Sequence, residues 1–198
     1  MAPEYPYPAP AEDAVDALRF ALSAAGEAKL GGKLLFVAGE SSGAYLAAWS
    51  VLKLRGEGVD VRARIAGLAL SFGIYDLSYT PSVNQYCGRA LVGTEDLKLL
   101  TDAAFPPSRY STQQRREPDL WPLYADLKGL PTALFMVGTA DAALDDSVFM
   151  ASRWSLAGNG TQLKIIPEAC HAFTLLPMGD AGAEGRAELQ AFLKNLMK

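Results

Sequence analysis

Residues 37–44, Val37-Ala38-Gly39-Glu40-Ser41-Ser42-Gly43-Ala44, contain the pattern Gly-x-Ser-x-Gly. Alone the pattern is weak, because a chain with 18 glycines meets it by chance in about one case in ten. Its setting gives it meaning. Residues 34–38 form a short continuous apolar run, which reads as a strand covered on both faces. Residues 42–54, rich in Ala and Leu and closed by Gly56 and Gly58, read as a helix. A sharp strand-to-helix turn forces its central residue into a strained backbone conformation, and small residues on either side let helix and strand approach closely. The start of that helix also aims backbone N–H groups at any oxyanion formed beside Ser41. Ser41 is therefore a candidate nucleophile.

The rest of the chain is organised around the same alternation. Residues 11–25 show helical spacing in Ala11, Ala14, Val15, Leu18 and Leu22, ended by Gly26 and Gly31-Gly32. A second buried strand is expected over residues 65–72. Strands follow at 132–137 and 162–166, with helices at 145–156 and 184–197, an order that predicts a parallel sheet covered on both sides. Residues 73–131 differ in kind, with six prolines, many aromatics and one amphipathic stretch around 94–105. A long irregular excursion inside a compact domain is usually functional, as a lid or a binding wall.

A serine hydroxyl attacks only when a base takes its proton. The chain has one histidine, His171, placed in a short loop after the strand at 162–166, where a βα loop presents residues at the carboxyl ends of the strands. The imidazole in turn needs a carboxylate to fix its tautomer. Asp141, Asp145 and Asp146 are the candidates. Asp145 and Asp146 fall at the start of a helix, where capping and the helix dipole explain them; Asp141, just past its strand, is chosen. Ser41, Asp141, His171 is the chain order expected of α/β-hydrolases. Beside the excursion, Phe72, Tyr75, Tyr79 and Trp121 offer apolar surface for a pocket, and Arg115-Arg116 reads as a solvated charge pair.

Size and composition fit this reading. The 198 residues suit one domain, half of them apolar and a fifth charged. A net charge of −4 argues against a nucleic-acid partner. No apolar run approaches the roughly 18 residues of a membrane span. The first residues lack the basic region and apolar core of a signal peptide, so a cytoplasmic location is expected. Cys87 and Cys170 read as two reduced thiols. Asn159-Gly160-Thr161 fits a glycosylation acceptor, which matters only in a secreted chain.

Four segments together resemble the hormone-sensitive-lipase-like carboxylesterases of the α/β-hydrolase family. Residues 2–20 are similar to the family's Ala-Pro-Glu stretch and following helix. Residues 37–48 resemble its elbow, with Glu40 where Asp is more usual. Residues 118–146 resemble the run from cap to acid, and residues 165–177 the histidine loop, with Ala172 where the family often has Gly. The resemblance implies one α/β-hydrolase domain over residues 1–198, with 73–131 as a short cap- or lid-like insertion. It implies a serine carboxylester hydrolase that acts on small or short-chain esters through an acyl-enzyme, without metal or cofactor. Ser42 N–H becomes an oxyanion donor, and Glu40, Phe72, Tyr75 and Trp121 become pocket residues.

Family members also carry a His-Gly-Gly-Gly loop and earlier strands upstream of the Ala-Pro-Glu stretch. This chain starts at Met1-Ala2-Pro3-Glu4, so a partial sheet is expected, with residues 34–38 as an open edge prone to self-association. Weak or no esterase activity of these residues alone is the corresponding expectation. Two other readings stand beside it: a non-catalytic ligand-binding or regulatory protein on the same scaffold, and a chain that begins at an internal methionine of a longer one.

Overall fold

Four strands pair in chain order into one parallel sheet: β1 (Phe36–Glu40), β2 (Gly67–Ser71), β3 (Thr132–Ala140) and β4 (Thr161–Cys170). They belong to a computed structural model that describes residues 2–198 apart from 77, 87, 89, 90 and 112. Cys87 therefore lies outside the described residues. Parallel neighbours need long crossovers, and helices supply them. The helices are α1 (Ala9–Ala21), α2 (Ala24–Leu30), α3 (Ser42–Gly56), α4 (Val61–Arg64), α5 (Pro81–Gln85), α6 (Thr94–Ala104), α7 (Leu144–Leu156) and α8 (Gly179–Leu196).

The sheet has a core on each face because strand side chains alternate. Leu68, Leu70, Ala133 and Phe135 point into the larger core, with Val15 and Leu18 of α1, Ala48 and Val51 of α3, and Trp154 of α7. Leu134, Met136 and Ile166 point the other way, against Phe192 and Leu196 of α8. Trp154 is fully buried, and its indole N–H donates to the Pro131 carbonyl at 2.9 Å.

Two expectations are changed by packing. The strand at the Gly-x-Ser-x-Gly turn is not buried on both faces, since Ala38 is exposed and the other residues of β1 are part-buried; it is the open edge expected, pairing with β2 alone among the described residues. β2, between two neighbours, is buried throughout. The first helix is two helices. α1 stops at Ala21, and the Ser23 hydroxyl accepts the Gly26 N–H at 3.0 Å to start α2. Gly26 sits inside α2 because a Cβ there would lie 1.9 Å from the Phe20 carbonyl oxygen.

Asn159 is not a free acceptor for sugar. It is buried, its Oδ1 accepts from Leu130 N (3.1 Å) and its Nδ2 donates to the Leu127 carbonyl (2.6 Å). Among the described residues, no helix is long and apolar enough to cross a membrane.

Candidate active site

Each strand delivers one residue of the site at its carboxyl end. Ser41 follows β1, Phe72 follows β2, Asp141 follows β3 and His171 follows β4. Ser41 has φ 54° and ψ −123°, a conformation that L side chains avoid. Its N–H donates to the Ser71 carbonyl at 3.0 Å, and its own carbonyl accepts from Ala44 N at 3.1 Å, so strand and helix hold the turn from both sides. Of the two glycines in the pattern only Gly39 is forced by space. A Cβ at Gly39 would lie 2.2 Å from the Gly43 carbonyl oxygen, while one at Gly43 meets nothing within 4 Å.

His171 is carried to the site by an irregularity in β4. From the pair Gly138–Ile166 to the pair Ala140–Cys170, β4 advances four residues while β3 advances two. Glu168 takes φ 59° within this bulge, and its N–H donates to Thr139 Oγ1 at 2.8 Å. Bulges of this kind re-aim side chains beside functional sites. Gly138 makes room for it, since a Cβ there would lie 1.8 Å from the Ala169 carbonyl oxygen. Ala172, where a glycine would be unstrained, has φ 63°, and Phe72 has φ 39°. Left-handed residues thus stand at the ends of β1, β2 and β4, a clustering of strain found at functional sites.

The structure brings Ser41, Asp141 and His171 together. His171 Nε2 lies 2.8 Å from Ser41 Oγ, and Nδ1 lies 3.1 and 3.0 Å from the two carboxylate oxygens of Asp141. Asp141 and His171 are both buried, and Asp141 Oδ1 also accepts from Ala143 N at 2.9 Å. The edge of Phe72 packs on the imidazole with centroids 5.0 Å apart. The histidine loop is also tied to the turn at Ser41: the Thr174 hydroxyl donates to Glu40 Oε1 at 2.7 Å. Ser42 opens α3, so its N–H has no acceptor within the helix.

Ser41 and His171 open into a cavity of about 450 Å³. Glu40, Ser42, Phe72 and Trp121 line it, as do Tyr45, Leu97 and Phe105. Tyr75 does not. It is fully buried beneath the sheet end, 6.1 Å from Phe135 and against Gly73, where its ring fills the core. Phe105, at the end of the amphipathic stretch, joins Tyr7, Tyr45 and Trp121 in one aromatic cluster, with its ring 4.9 Å from Tyr7 and 5.0 Å from Trp121. Burial holds the Tyr45 phenol well above its ordinary range, so it serves as a neutral donor to the Leu120 carbonyl and not as a base.

The family model for the α/β hydrolase fold matches residues 1–175 of the chain. The chain belongs to that family. An acetyl-hydrolase of Streptomyces hygroscopicus is 29% identical to this α/β-hydrolase chain over 189 residues, covering 92% of it and 59% of the relative. An esterase of Acinetobacter venetianus is 31% identical over 154 residues, covering 74% of the chain and 46% of the relative. A solved hormone-sensitive lipase from a metagenome library superposes with a TM-score of 0.83 at 30% identity, over 98% of this chain and 64% of that one. These likenesses place the α/β-hydrolase chain with the hormone-sensitive-lipase-like esterases. The chain spans 59% and 46% of the length of the two curated relatives.

Asp145 and Asp146, expected to cap a helix in this α/β-hydrolase chain, lie in the first turn of α7 without capping it, since its N-cap is Ala143 and no side chain caps it. Asp146 Oδ1 accepts the N–H groups of Tyr75 (2.7 Å) and Asp76 (2.8 Å), and its Oδ2 accepts the Thr80 hydroxyl (2.8 Å). Asp145 Oδ2 accepts Ser82 N at 2.8 Å. The start of α7 thereby holds the start of the excursion. Complete burial outweighs the three donors and lifts the Asp146 carboxyl to about 7. The folded state therefore holds a proton that the unfolded chain, titrating near 3.8, has released. The stability contributed by Asp146 is full below about pH 4 and is lost as pH rises to about 7, with each pH step of one in that interval removing up to about 1.4 kcal/mol. Urea unfolding of the unaltered protein and Asp146→Asn at pH 5 and pH 8 tests this. The stability of the unaltered protein relative to the variant is expected to fall between the two; a constant difference contradicts the assignment.

Arg115 is the clearest departure from the sequence reading. Its partner Arg116 is exposed, but Arg115 is buried, with Nη2 2.6 Å from Asp102 Oδ1 and 2.9 Å from the Phe105 carbonyl. Nothing in the local sequence marks it, because its partners lie on α6 and just beyond. Cys170 is a buried thiol whose Sγ lies 3.4 Å from the His171 carbonyl oxygen.

Proposed function

We propose that the chain carries the catalytic centre of a serine carboxylester hydrolase that acts on small or short-chain esters through an acyl-enzyme. The observation that carries this reading is the pair of His171 contacts: Nε2 at 2.8 Å from Ser41 Oγ, with Asp141 at the opposite ring nitrogen. Ser41 Oγ attacks the ester carbonyl carbon while His171 Nε2 takes its proton. Asp141 holds the tautomer that leaves Nε2 free to accept and stabilises the imidazolium. The carbonyl oxygen, now an anion, receives the Ser42 N–H at the start of α3. Collapse breaks the bond to the leaving alkoxide, which takes the proton from His171. Water then attacks the acyl-enzyme, His171 accepts its proton, and the proton returns to Ser41 as the carboxylic acid leaves.

The lining of the cavity supports an uncharged, apolar substrate. Glu40, the one carboxylate lining it among the described residues, is already engaged by Thr174. A fluorophosphonate probe tests the reading directly. It is expected to label Ser41 in the unaltered protein and to leave Ser41→Ala and His171→Ala unlabelled. Folded protein whose Ser41 stays inert would overturn the esterase reading and leave the same cavity as a binding site.

A further inference from the structure

Helix α6 stands between two cavities. One side of it, Leu97, Leu100, Thr101 and Ala104, faces the 450 Å³ cavity at Ser41. Lys98 and Asp102, on another side, border a second cavity of about 280 Å³ with Tyr79, Tyr110 and Arg115. Positions 97, 100, 101 and 104 repeat at helical spacing, as do 98 and 102, so the two sets are distinct faces of one helix. A helix in a packed core is held by its neighbours, and small displacements there cost contacts on every side. Here one wall of the substrate cavity has space behind it.

Leu97 packs α6 onto Val83 and Ala142, and a small number of polar ties hold the rest of it. At its start, Thr94 Oγ1 donates to the carbonyls of Val83 (2.5 Å) and Tyr86 (3.2 Å). At its end, the Ala104 carbonyl accepts Tyr7 N at 2.9 Å. Arg115 closes the far side of the second cavity, with one guanidinium nitrogen on both Asp102 and the Phe105 carbonyl and the other 3.3 Å from the Tyr79 hydroxyl. Its side chain is only 8% exposed. A buried guanidinium is stable only with its partners in place, and its planar fork fixes direction as well as distance. Arg115 therefore ties the last turn of α6 at Asp102 to the Phe105 backbone, while the Phe105 ring itself packs on Tyr7, Tyr45 and Trp121.

We propose that Arg115 is a positioning residue for substrate selection: by pinning α6 from behind, it fixes the width of the cavity at Ser41 and limits the length of apolar chain that the ester can carry. It touches neither substrate nor the reacting atoms. The proposal rests on the reading of that cavity as the ester site. Without the tie, the second cavity gives α6 room to retreat, and longer chains gain space that short ones do not use.

The test compares Arg115→Met, Asp102→Asn and Arg115→Lys with the unaltered protein on nitrophenyl acetate and nitrophenyl octanoate. Arg115→Met and Asp102→Asn are expected to raise the octanoate-to-acetate ratio of kcat/KM by about fivefold or more, within the range that small changes in an apolar pocket produce. The gain should appear in KM for octanoate, with kcat for acetate and the rate of Ser41 labelling held within about twofold. Arg115→Lys keeps the charge and loses the fork, so it should fall between. If Arg115→Met does not fold, the other two variants carry the comparison. An unchanged ratio in folded variants, or an equal fall for both esters, overturns the proposal.

A second measurement separates this proposal from the esterase reading. Binding of the non-hydrolysable nitrophenyl ethyl and octyl ethers, followed by tryptophan fluorescence, should show the same shift toward the longer chain. No turnover with a clear shift in ether affinity defeats the esterase reading and upholds the role of Arg115. Turnover with no shift in either ratio does the reverse.

Discussion

Asp141→Asn is expected to lower ester turnover by about 10⁴-fold while leaving the fold intact. The size of the effect comes from the tautomer. With aspartate present, both carboxylate oxygens face Nδ1 at 3.0 and 3.1 Å, so the proton sits on Nδ1 and the lone pair of Nε2 points at Ser41 Oγ. An asparagine can turn its amide to donate to Nδ1. The proton then moves to Nε2, which faces the serine as a donor and cannot take its hydrogen. Ser41→Ala removes the nucleophile itself, a loss on the order of 10⁶. Adding Asp141→Asn to Ser41→Ala should cost nothing more, because the three groups act as one unit. Steady-state kinetics on nitrophenyl acetate measures all three. A double variant much slower than Ser41→Ala alone would show that Asp141 serves some other purpose.

The second large effect separates two glycines that the Gly-x-Ser-x-Gly pattern treats as equals. At Gly39 an added methyl would press on backbone, 2.2 Å from the Gly43 oxygen and 2.7 Å from Ala44 N. Backbone at the first turn of a helix cannot move aside without moving the helix. Gly39→Ala is therefore expected to cost about 3 kcal/mol of stability. Displacing Ser41 by even 1 Å from His171 costs about 10²-fold in rate. Gly43→Ala meets no neighbour and lies in helix, so it should be neutral or stabilising by under about 1 kcal/mol. Thermal unfolding and kinetics on the pair decide the matter; equal damage from both would mean that the turn and not the close approach sets the requirement.

The sequence carries those parts of the molecule that depend on near neighbours and on chain order. The alternation of apolar runs and helical spacing is enough for a parallel sheet, and the chain order of Ser41, Asp141 and His171 is enough to name the residues that β1, β3 and β4 bring together. Pairings across long separations are not legible in this way. Asp146 meets Tyr75 and Asp76 over about seventy residues, which a helix-start position does not reveal. Arg115 and Arg116 are adjacent and alike in sequence, yet one is buried against Asp102 and the other faces water. Tyr75 and Trp121 are equally aromatic, yet only Trp121 reaches the cavity. For Arg115, Tyr75 and Trp121 the deciding fact is which way the side chain leaves the excursion, whose described residues between 73 and 131 have too little regular structure for periodicity to fix that; for Asp146, on α7, it is which distant segment packs on the helix start.

The start of α7 joins two parts of the chain that have separate tasks. Asp141 lies just before it, and the Tyr75, Asp76, Thr80 and Ser82 donors of the excursion end on Asp145 and Asp146. Ser82 adds a bond to the Ala142 carbonyl at 2.8 Å and accepts Asp145 N at 3.0 Å. Tyr75, Asp76, Thr80 and Ser82 are bound to the same short stretch that carries Asp141, so moving them from it breaks these hydrogen bonds. The start of the excursion and the Asp141 loop thus share one set of hydrogen bonds, and loosening the one is expected to loosen the other.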